Sequence, residues 1–148
     1  MKKEKIKLAD IMPVEEVRNM PQREDRKIIE KRAARVMSES LGIPLTKQRL
    51  EIYGKYKEFD VVNVEHRIVG DVKKFDYEGD SPSGQMDFMS QHIRLMEKLE
   101  ESTGKKWKKM IVGLGNRKVF ETYARRNNPW LEDVEIYFID NGKVEKIR

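Results

Sequence analysis

The residues best suited to chemistry are two aspartates and a lysine in the middle of the chain, Asp60, Asp71 and Lys73. Carboxylate oxygens are the ligands that Mg²⁺ prefers, and they must converge on the ion from different segments. A lysine two residues after a metal-binding carboxylate can hold a phosphate oxygen or position a water at the same ion. This pattern predicts metal-dependent cleavage of a phosphodiester bond.

The segments that carry these residues are predicted to form a β-hairpin, since 57–64 and 67–75 are rich in β-branched residues. A two-residue loop between them would place Asp60 directly opposite Asp71, because paired residue numbers keep a constant sum in an antiparallel ladder. A four-residue loop would keep the carboxylates on one face, whereas a three-residue loop would separate them. We therefore expect the two aspartates to be cross-strand neighbours.

Side chains at positions i and i+2 of a strand share a face. Asp71 and Lys73 are therefore expected to face Asp60, while the side chain of Val72 points into the core. Two carboxylates buried together repel each other unless a cation lies between them. The hairpin thus predicts a bound divalent cation, Mg²⁺ or Mn²⁺.

A third carboxylate is expected from the helix predicted at 21–41. Glu30 flanks Ile29, which begins the apolar stripe of that helix, so its side chain can reach over the sheet from the margin of the buried face. Glu39, nearer the helix end, is the alternative. The sequence leaves this choice open.

The elements that must position these residues follow from apolar periodicity and from turn residues. Beyond the first helix and the hairpin, they are a short strand and turn at 49–56, a helix from Pro82 to Gly104 capped by Ser81, a strand at 110–114, a helix from Asn116 to Arg126, a strand at 134–139 and a last strand at 143–147. Strands joined through helices pair side by side with right-handed crossovers. The expected fold is α/β, a mixed β-sheet with helices on both faces, in a single domain whose residues 1–20 form an arm or short helix packed on it.

Composition excludes several other chemistries. The 148 residues contain no cysteine and only two histidines, which excludes disulfides, thiolate zinc sites and cysteine nucleophiles and disfavours a zinc enzyme. Charged residues make up 39% of the chain and the net charge is +5, so a polyanionic partner is allowed but not required. No apolar stretch could span a bilayer and no signal peptide precedes the body, so the expected location is cytoplasmic.

Three segments together resemble the PD-(D/E)XK restriction-endonuclease-like superfamily. They are Ile29-Glu30, Phe59-Asp60-Val61-Val62 and Ile68-Val69-Gly70-Asp71-Val72-Lys73. The element order between about residues 21 and 139 is similar to that family as well. Phe59 replaces the proline that often precedes the first aspartate, which leaves the ligand intact.

The resemblance implies an Mg²⁺-dependent nuclease that acts on DNA, or less often on RNA. It also implies catalytic roles for Glu30, Asp60, Asp71 and Lys73, with Glu30, Asp60, Asp71 and Val72 at the metal. A homodimer is compatible with this role, since two nicking centres are needed to cut both strands in one encounter.

Two rival interpretations remain open. The chain can be a nuclease-fold module that binds nucleic acid or a protein partner without cutting, or a structural subunit whose acidic pair lies in a surface salt network. Several other polar residues are given structural roles: His92 is expected to be packed or on the surface, His66 to decorate a turn, Gln85 and Gln91 to face solvent, and the lysines around Trp107 to form a solvated edge.

Overall fold

A six-stranded mixed β-sheet organises the chain. The computed structural model describes the backbone of residues 22–76 and 82–148, and the side chains of 26–76 and 86–148. The predicted arm at 1–20 and the predicted Ser81 cap lie outside the described residues. No helix in the described ranges is long and apolar enough to cross a membrane.

The elements follow the predicted order. They are α1 (Gln22–Leu41), β1 (Thr46–Ile52), β2 (Lys55–Asn63), β3 (Ile68–Phe75), α2 (Pro82–Thr103), β4 (Lys108–Gly115), α3 (Arg117–Asn127), a 3₁₀ turn (Asn128–Trp130), β5 (Val134–Asp140) and β6 (Lys143–Lys146). The strands lie in the sheet in chain order. The pairings β1–β2, β2–β3 and β5–β6 are antiparallel, whereas β3–β4 and β4–β5 are parallel. The mixed sheet predicted from the sequence is confirmed.

Each face of the sheet has its own apolar cluster. Met89 and Met96 of α2 and Phe120 of α3 are fully buried in one cluster. Ala33 and Met37 of α1 are buried in the other. Since a helix buries its apolar stripe against a neighbouring layer, α1 covers one face, and α2 and α3 cover the other.

Local signals in the sequence set several element ends. The Asn116 side chain accepts a hydrogen bond from the N–H of Lys118 and caps α3, as predicted. Asn141 and Gly142 both have positive φ, 54° and 77°. This is the backbone of a tight hairpin turn, so the predicted turn between β5 and β6 is confirmed.

The hairpin of β2 and β3 has the predicted register. The Arg67 N–H donates to the Val64 carbonyl at 3.0 Å and closes the turn. The paired residues are Val61 with Gly70, Val62 with Val69, and Asn63 with Ile68. Continuing this register would set Asp60 against Asp71, but the regular ladder ends at Val61 and Gly70.

A β-bulge lies at this same point in β2. Between the pairs Thr46–Val62 and Gln48–Phe59, Lys47 of β1 stands opposite both Asp60 and Val61. Phe59 and Val62 accordingly enter the same cluster although they are three residues apart, while Val61 enters the other. Because a bulge interrupts the alternation of side chains and redirects the extra residue, the faces expected for a regular strand do not apply at Asp60.

Candidate active site

Asp60 and Asp71 are held together by reciprocal hydrogen bonds to main-chain groups. The Asp60 N–H donates to Asp71 Oδ1 at 3.2 Å, and the Val72 N–H donates to Asp60 Oδ2 at 2.8 Å. These bonds bridge the two strands where the regular ladder has ended. The prediction of a regular cross-strand pair is wrong in this detail, because the carboxylates themselves take the place of ladder partners.

The remaining oxygens of the pair contact different layers of the fold. Asp60 Oδ1 is 3.8 Å from Nζ of Lys47, which is bonded to Glu30 of α1. Asp71 Oδ2 is 2.7 Å from Nδ1 of His92, on α2. The expected common face for Asp60 and Asp71 is therefore wrong. The two carboxylates meet in the opening between β2 and β3, and each turns its other oxygen toward a different helix.

Asp71 carries a buried oxygen with no good hydrogen bond. Its side chain is 4% exposed, and Oδ2 is one of the few buried polar atoms in the described part of the chain that lack a hydrogen-bond partner. The His92 contact lies within ion-pair distance but does not have hydrogen-bond geometry. A buried carboxylate oxygen without a donor is costly, and a hard cation is a suitable partner for it.

The raised pKa of Asp60 also indicates a place for a positive charge. Burial and the neighbouring charge of Asp71 raise the pKa of Asp60 to about 7, against the opposing effects of the Val72 N–H and Lys47. The carboxylate form is thus poorly stabilised near neutral pH unless more positive charge is supplied. Oxygen donors, burial and mutual repulsion together fit a divalent cation at this pair.

Lys73 lies beside the pair on the α2 side of the sheet. Its Nζ is 2.7 Å from Nε2 of His92, so Asp71 and Lys73 share a face, as predicted. Burial lowers the pKa of Lys73, against the attraction of Asp71 and Asp60. The imidazole of His92 lies between the Lys73 amine and the Asp71 carboxylate. His92 thereby links the ammonium to the carboxylate.

Glu30 is brought to the site through Lys47. Nζ of Lys47 is 2.5 Å from Glu30 Oε1, and the Glu30 side chain is 12% exposed. Glu39, the alternative, is exposed on α1. Of the two candidates, Glu30 is the one linked to Asp60.

The predicted metal ligands do not form a ready cluster. Within the described residues, no three histidine, cysteine, aspartate or glutamate side chains are arranged to hold a metal ion. Glu30 is bonded to Lys47, and the side chain of Val72 is buried in the cluster under α1, as predicted. The carboxylate pair of Asp60 and Asp71 fits a cation, whereas metal binding by Glu30 and Val72 remains a prediction.

Lys47 was not predicted to belong to the site, and His92 was expected only to be packed or on the surface. The strand carrying Lys47 was expected to begin only at residue 49, and nothing in the sequence signals a bulge opposite this lysine. His92 precedes Ile93 of the apolar stripe on α2. This position on the margin of a sheet-facing helix is the one available sign that His92 could reach a site.

An open cleft of about 440 Å³ adjoins the site. Its lining combines positive charge with aromatic surface; it includes Arg26, Lys73, Lys74, Phe75 and Phe88 together with Glu30 and Asp76. Phe88 is 55% exposed. Cationic side chains suit a phosphate backbone, and an exposed ring can stack on an unpaired base.

Other residues considered from the sequence have structural roles. Trp107 is buried and its indole N–H donates to Thr103, so it is not available for stacking. Lys109 is buried and paired with Glu100 at 2.7 Å, so the expectation of a solvated edge is wrong for this lysine. The His66 N–H donates to Asn63 in the hairpin turn. Gln91 is exposed, and the Gln85 side chain lies outside the described residues.

The raised pKa of Asp60 predicts how stability depends on pH in the metal-free protein. Its pKa is about 7 in the folded protein and about 3.9 in an unfolded chain. Between these two pKa values the folded protein binds more protons than the unfolded chain, so the free energy of unfolding falls as pH rises. The loss of stability caused by the Asp60 charge is complete above about pH 7. Asp60→Asn removes the charge and keeps an acceptor for the Val72 N–H.

We expect metal-free Asp60→Asn to be more stable than wild type at pH 8, by roughly 1–3 kcal/mol after allowance for solvent screening. The difference should shrink toward zero near pH 4. Urea unfolding in EDTA at both pH values measures it, with Asp140→Asn at the exposed end of β5 as the matched control. If the difference in unfolding free energy between wild type and Asp60→Asn does not change with pH, the charge of Asp60 is not its cause.

Comparisons with protein-family models, with curated protein sequences and with solved structures find no significant match for this chain.

Proposed function

We propose that this protein is a metal-dependent nuclease with a restriction-endonuclease-like fold, which hydrolyses phosphodiester bonds in nucleic acid, with DNA as the favoured substrate. The observation that carries the proposal is the locked pair of Asp60 and Asp71, with the unpartnered Oδ2 of Asp71 beside Lys73. A buried acidic pair with an adjacent lysine is suited to hold a cation and a phosphate together.

The arrangement of elements supports the proposal. A helix, the strands that carry Asp60 and Asp71, and then a helix, a strand and a helix follow the element order of the PD-(D/E)XK superfamily that the motifs resemble. The preference for DNA rests on that resemblance alone. The cleft of Arg26, Lys73, Lys74 and Phe88 supplies positive charge and an exposed ring beside the acidic pair.

Each residue of the site has a specific role in this mechanism. A divalent cation bound at the pair would lower the pKa of a water and neutralise charge on the phosphate. Asp60 and Asp71 would hold that cation through their carboxylate oxygens, and the main-chain hydrogen bonds fix the position of one oxygen of each. Lys73 would hold a phosphate oxygen or orient the attacking water. As the water oxygen bonds to phosphorus, the bond to the leaving oxygen breaks; the water gives a proton to a neutral Lys73 amine or to solvent, and the leaving oxygen takes one from solvent. His92 keeps the Lys73 amine beside Asp71.

One observation favours the rival interpretation of a module that binds without cutting. Lys47 is paired with Glu30, and His92 lies against both Asp71 and Lys73, so the charged groups of the site already have neighbours within the chain. Such a network can persist in a protein that no longer hydrolyses its ligand. Binding of a cation and cleavage of a substrate must therefore be measured separately.

A cleavage panel tests the proposed function. Single-stranded, duplex and branched DNA, and the corresponding RNAs, are incubated with Mg²⁺ or Mn²⁺ and, as the control, with EDTA. We expect cleavage of at least one substrate with either ion and none in EDTA. Saturable Mn²⁺ binding without any cleavage would favour the binding module, and the absence of both would favour a structural salt network.

A further inference from the structure

The ammonium of Lys47 lies between two of the acidic side chains of the site. Its Nζ is 2.5 Å from Glu30 Oε1 and 3.8 Å from Asp60 Oδ1. The side chains of Glu30 and Asp60 are 12% and 13% exposed, and that of Lys47 is 34% exposed. Lys47 reaches this position because the bulge sets it opposite Asp60 and Val61.

This position is one that a second metal ion would need. In two-metal phosphodiester cleavage the ions lie about 3.5–4 Å apart and are held by carboxylates from several segments. A second ion between Glu30 and Asp60 would have to displace Lys47 and break its hydrogen bond to Glu30. A lysine side chain is ordinarily charged at neutral pH, and the carboxylates of Glu30 and Asp60 beside Nζ favour that charge.

We propose that the site binds one divalent cation, at Asp60 and Asp71, and that the Lys47 ammonium replaces a second cation between Glu30 and Asp60. This inference rests on the proposed function, since it specifies the metal content of the same site. The unpartnered Oδ2 of Asp71 is the independent sign of a ligand at the first position.

Charge balance favours one ion over two. Three carboxylates, of Glu30, Asp60 and Asp71, face the amines of Lys47 and Lys73. With both amines charged, one divalent ion brings this group to a net charge of about +1, whereas two bring it to about +3, and like charges at such distances repel strongly. Removal of the Lys47 charge would reduce this repulsion and would free Glu30 to bind a second ion.

Isothermal titration of the full chain with Mn²⁺ tests the inference without depending on cleavage. We expect one Mn²⁺ per chain for wild type and two for Lys47→Met. Arg49→Met removes a positive charge two residues along the same strand, where the guanidinium stacks on Tyr56, and should still bind one ion. Two Mn²⁺ ions at the spacing of two-metal sites, about 4 Å, are close enough to couple magnetically, so the electron paramagnetic resonance spectrum of Lys47→Met should show a coupled pair that wild type lacks.

Two Mn²⁺ ions bound to wild type would overturn the inference, and this result does not depend on whether any variant folds. A folded Lys47→Met that binds one ion with unchanged affinity would overturn it as well. The proposed function fails in a different way: wild type that binds one ion and cleaves nothing removes the nuclease but keeps the role of Lys47. Wild type that binds no Mn²⁺ defeats both.

Discussion

Asp71→Asn is expected to reduce Mg²⁺-dependent cleavage on the order of 10³-fold, at the upper end of the losses seen when one electrostatic contact to a transition state is removed. Asparagine keeps the size of the side chain and an oxygen that can accept the Asp60 N–H at the position of Oδ1. It removes the negative charge and replaces the unpartnered Oδ2 with a weaker ligand or a donor. The cation should therefore be lost while the fold is kept.

Mn²⁺ titration and steady-state cleavage should change together in Asp71→Asn, whereas Asp140→Asn, at the exposed end of β5, should behave as wild type in both. Thermal unfolding shows whether the variant is folded. A folded Asp71→Asn that still binds Mn²⁺ with wild-type affinity would mean that the cation, if any, does not use this carboxylate. Asp71 would then belong only to the network with His92.

Much of the fold could be predicted because local signals and long-range packing agree. Asn116 is a helix cap, Asn141 and Gly142 form a tight turn, and the apolar stripe of α2 contains Met89 and Met96. Each of these patterns depends on a few neighbouring residues. The register of β2 and β3 could be predicted as well, since a short turn leaves few ways to align two strands.

The geometry at Asp60 could not be predicted, because a bulge is a property of a strand pair. Lys47 lies opposite two residues of β2 because β2 has one more residue than β1 between the pairs Thr46–Val62 and Gln48–Phe59. That difference arises from contacts on both faces, with Phe59 and Val62 buried on one side and Val61 on the other. A one-residue irregularity reverses the face of a side chain, so the expectation of a shared face for Asp60 and Asp71 was wrong.

His92 illustrates a second limit of the sequence. A histidine beside an apolar stripe is compatible with a packed residue, a surface residue or a site residue, and only the tertiary structure sets its distances to Asp71 and Lys73. Its partners lie about twenty residues away in the chain, on strand β3 of the sheet against which α2 packs. The spacing of apolar residues therefore shows that His92 lies at the edge of the buried face of α2, but it cannot show which residues His92 contacts.

Lys73→Ala is expected to reduce cleavage by about 10²-fold or more while leaving Mn²⁺ bound. The Lys73 amine can hold a phosphate oxygen or orient water, but it is not a ligand of the cation. Removal of a nearby positive charge should keep or strengthen binding of a cation at Asp60 and Asp71. Loss of cleavage with retained metal is thus the result that distinguishes the role of Lys73 from that of Asp71.

The matched control is Lys98→Ala, which removes an exposed lysine of α2 paired with Glu101 at 3.4 Å. Such a surface ion pair contributes little to stability, so Lys98→Ala should retain wild-type cleavage and Mn²⁺ affinity. Burial lowers the pKa of Lys73, and an amine with a lowered pKa can accept a proton from the attacking water as well as donate to a phosphate. If Lys73→Ala cleaves within about threefold of wild type, less than 1 kcal/mol in the barrier, neither role is needed, and the contact with His92 is the whole function of Lys73.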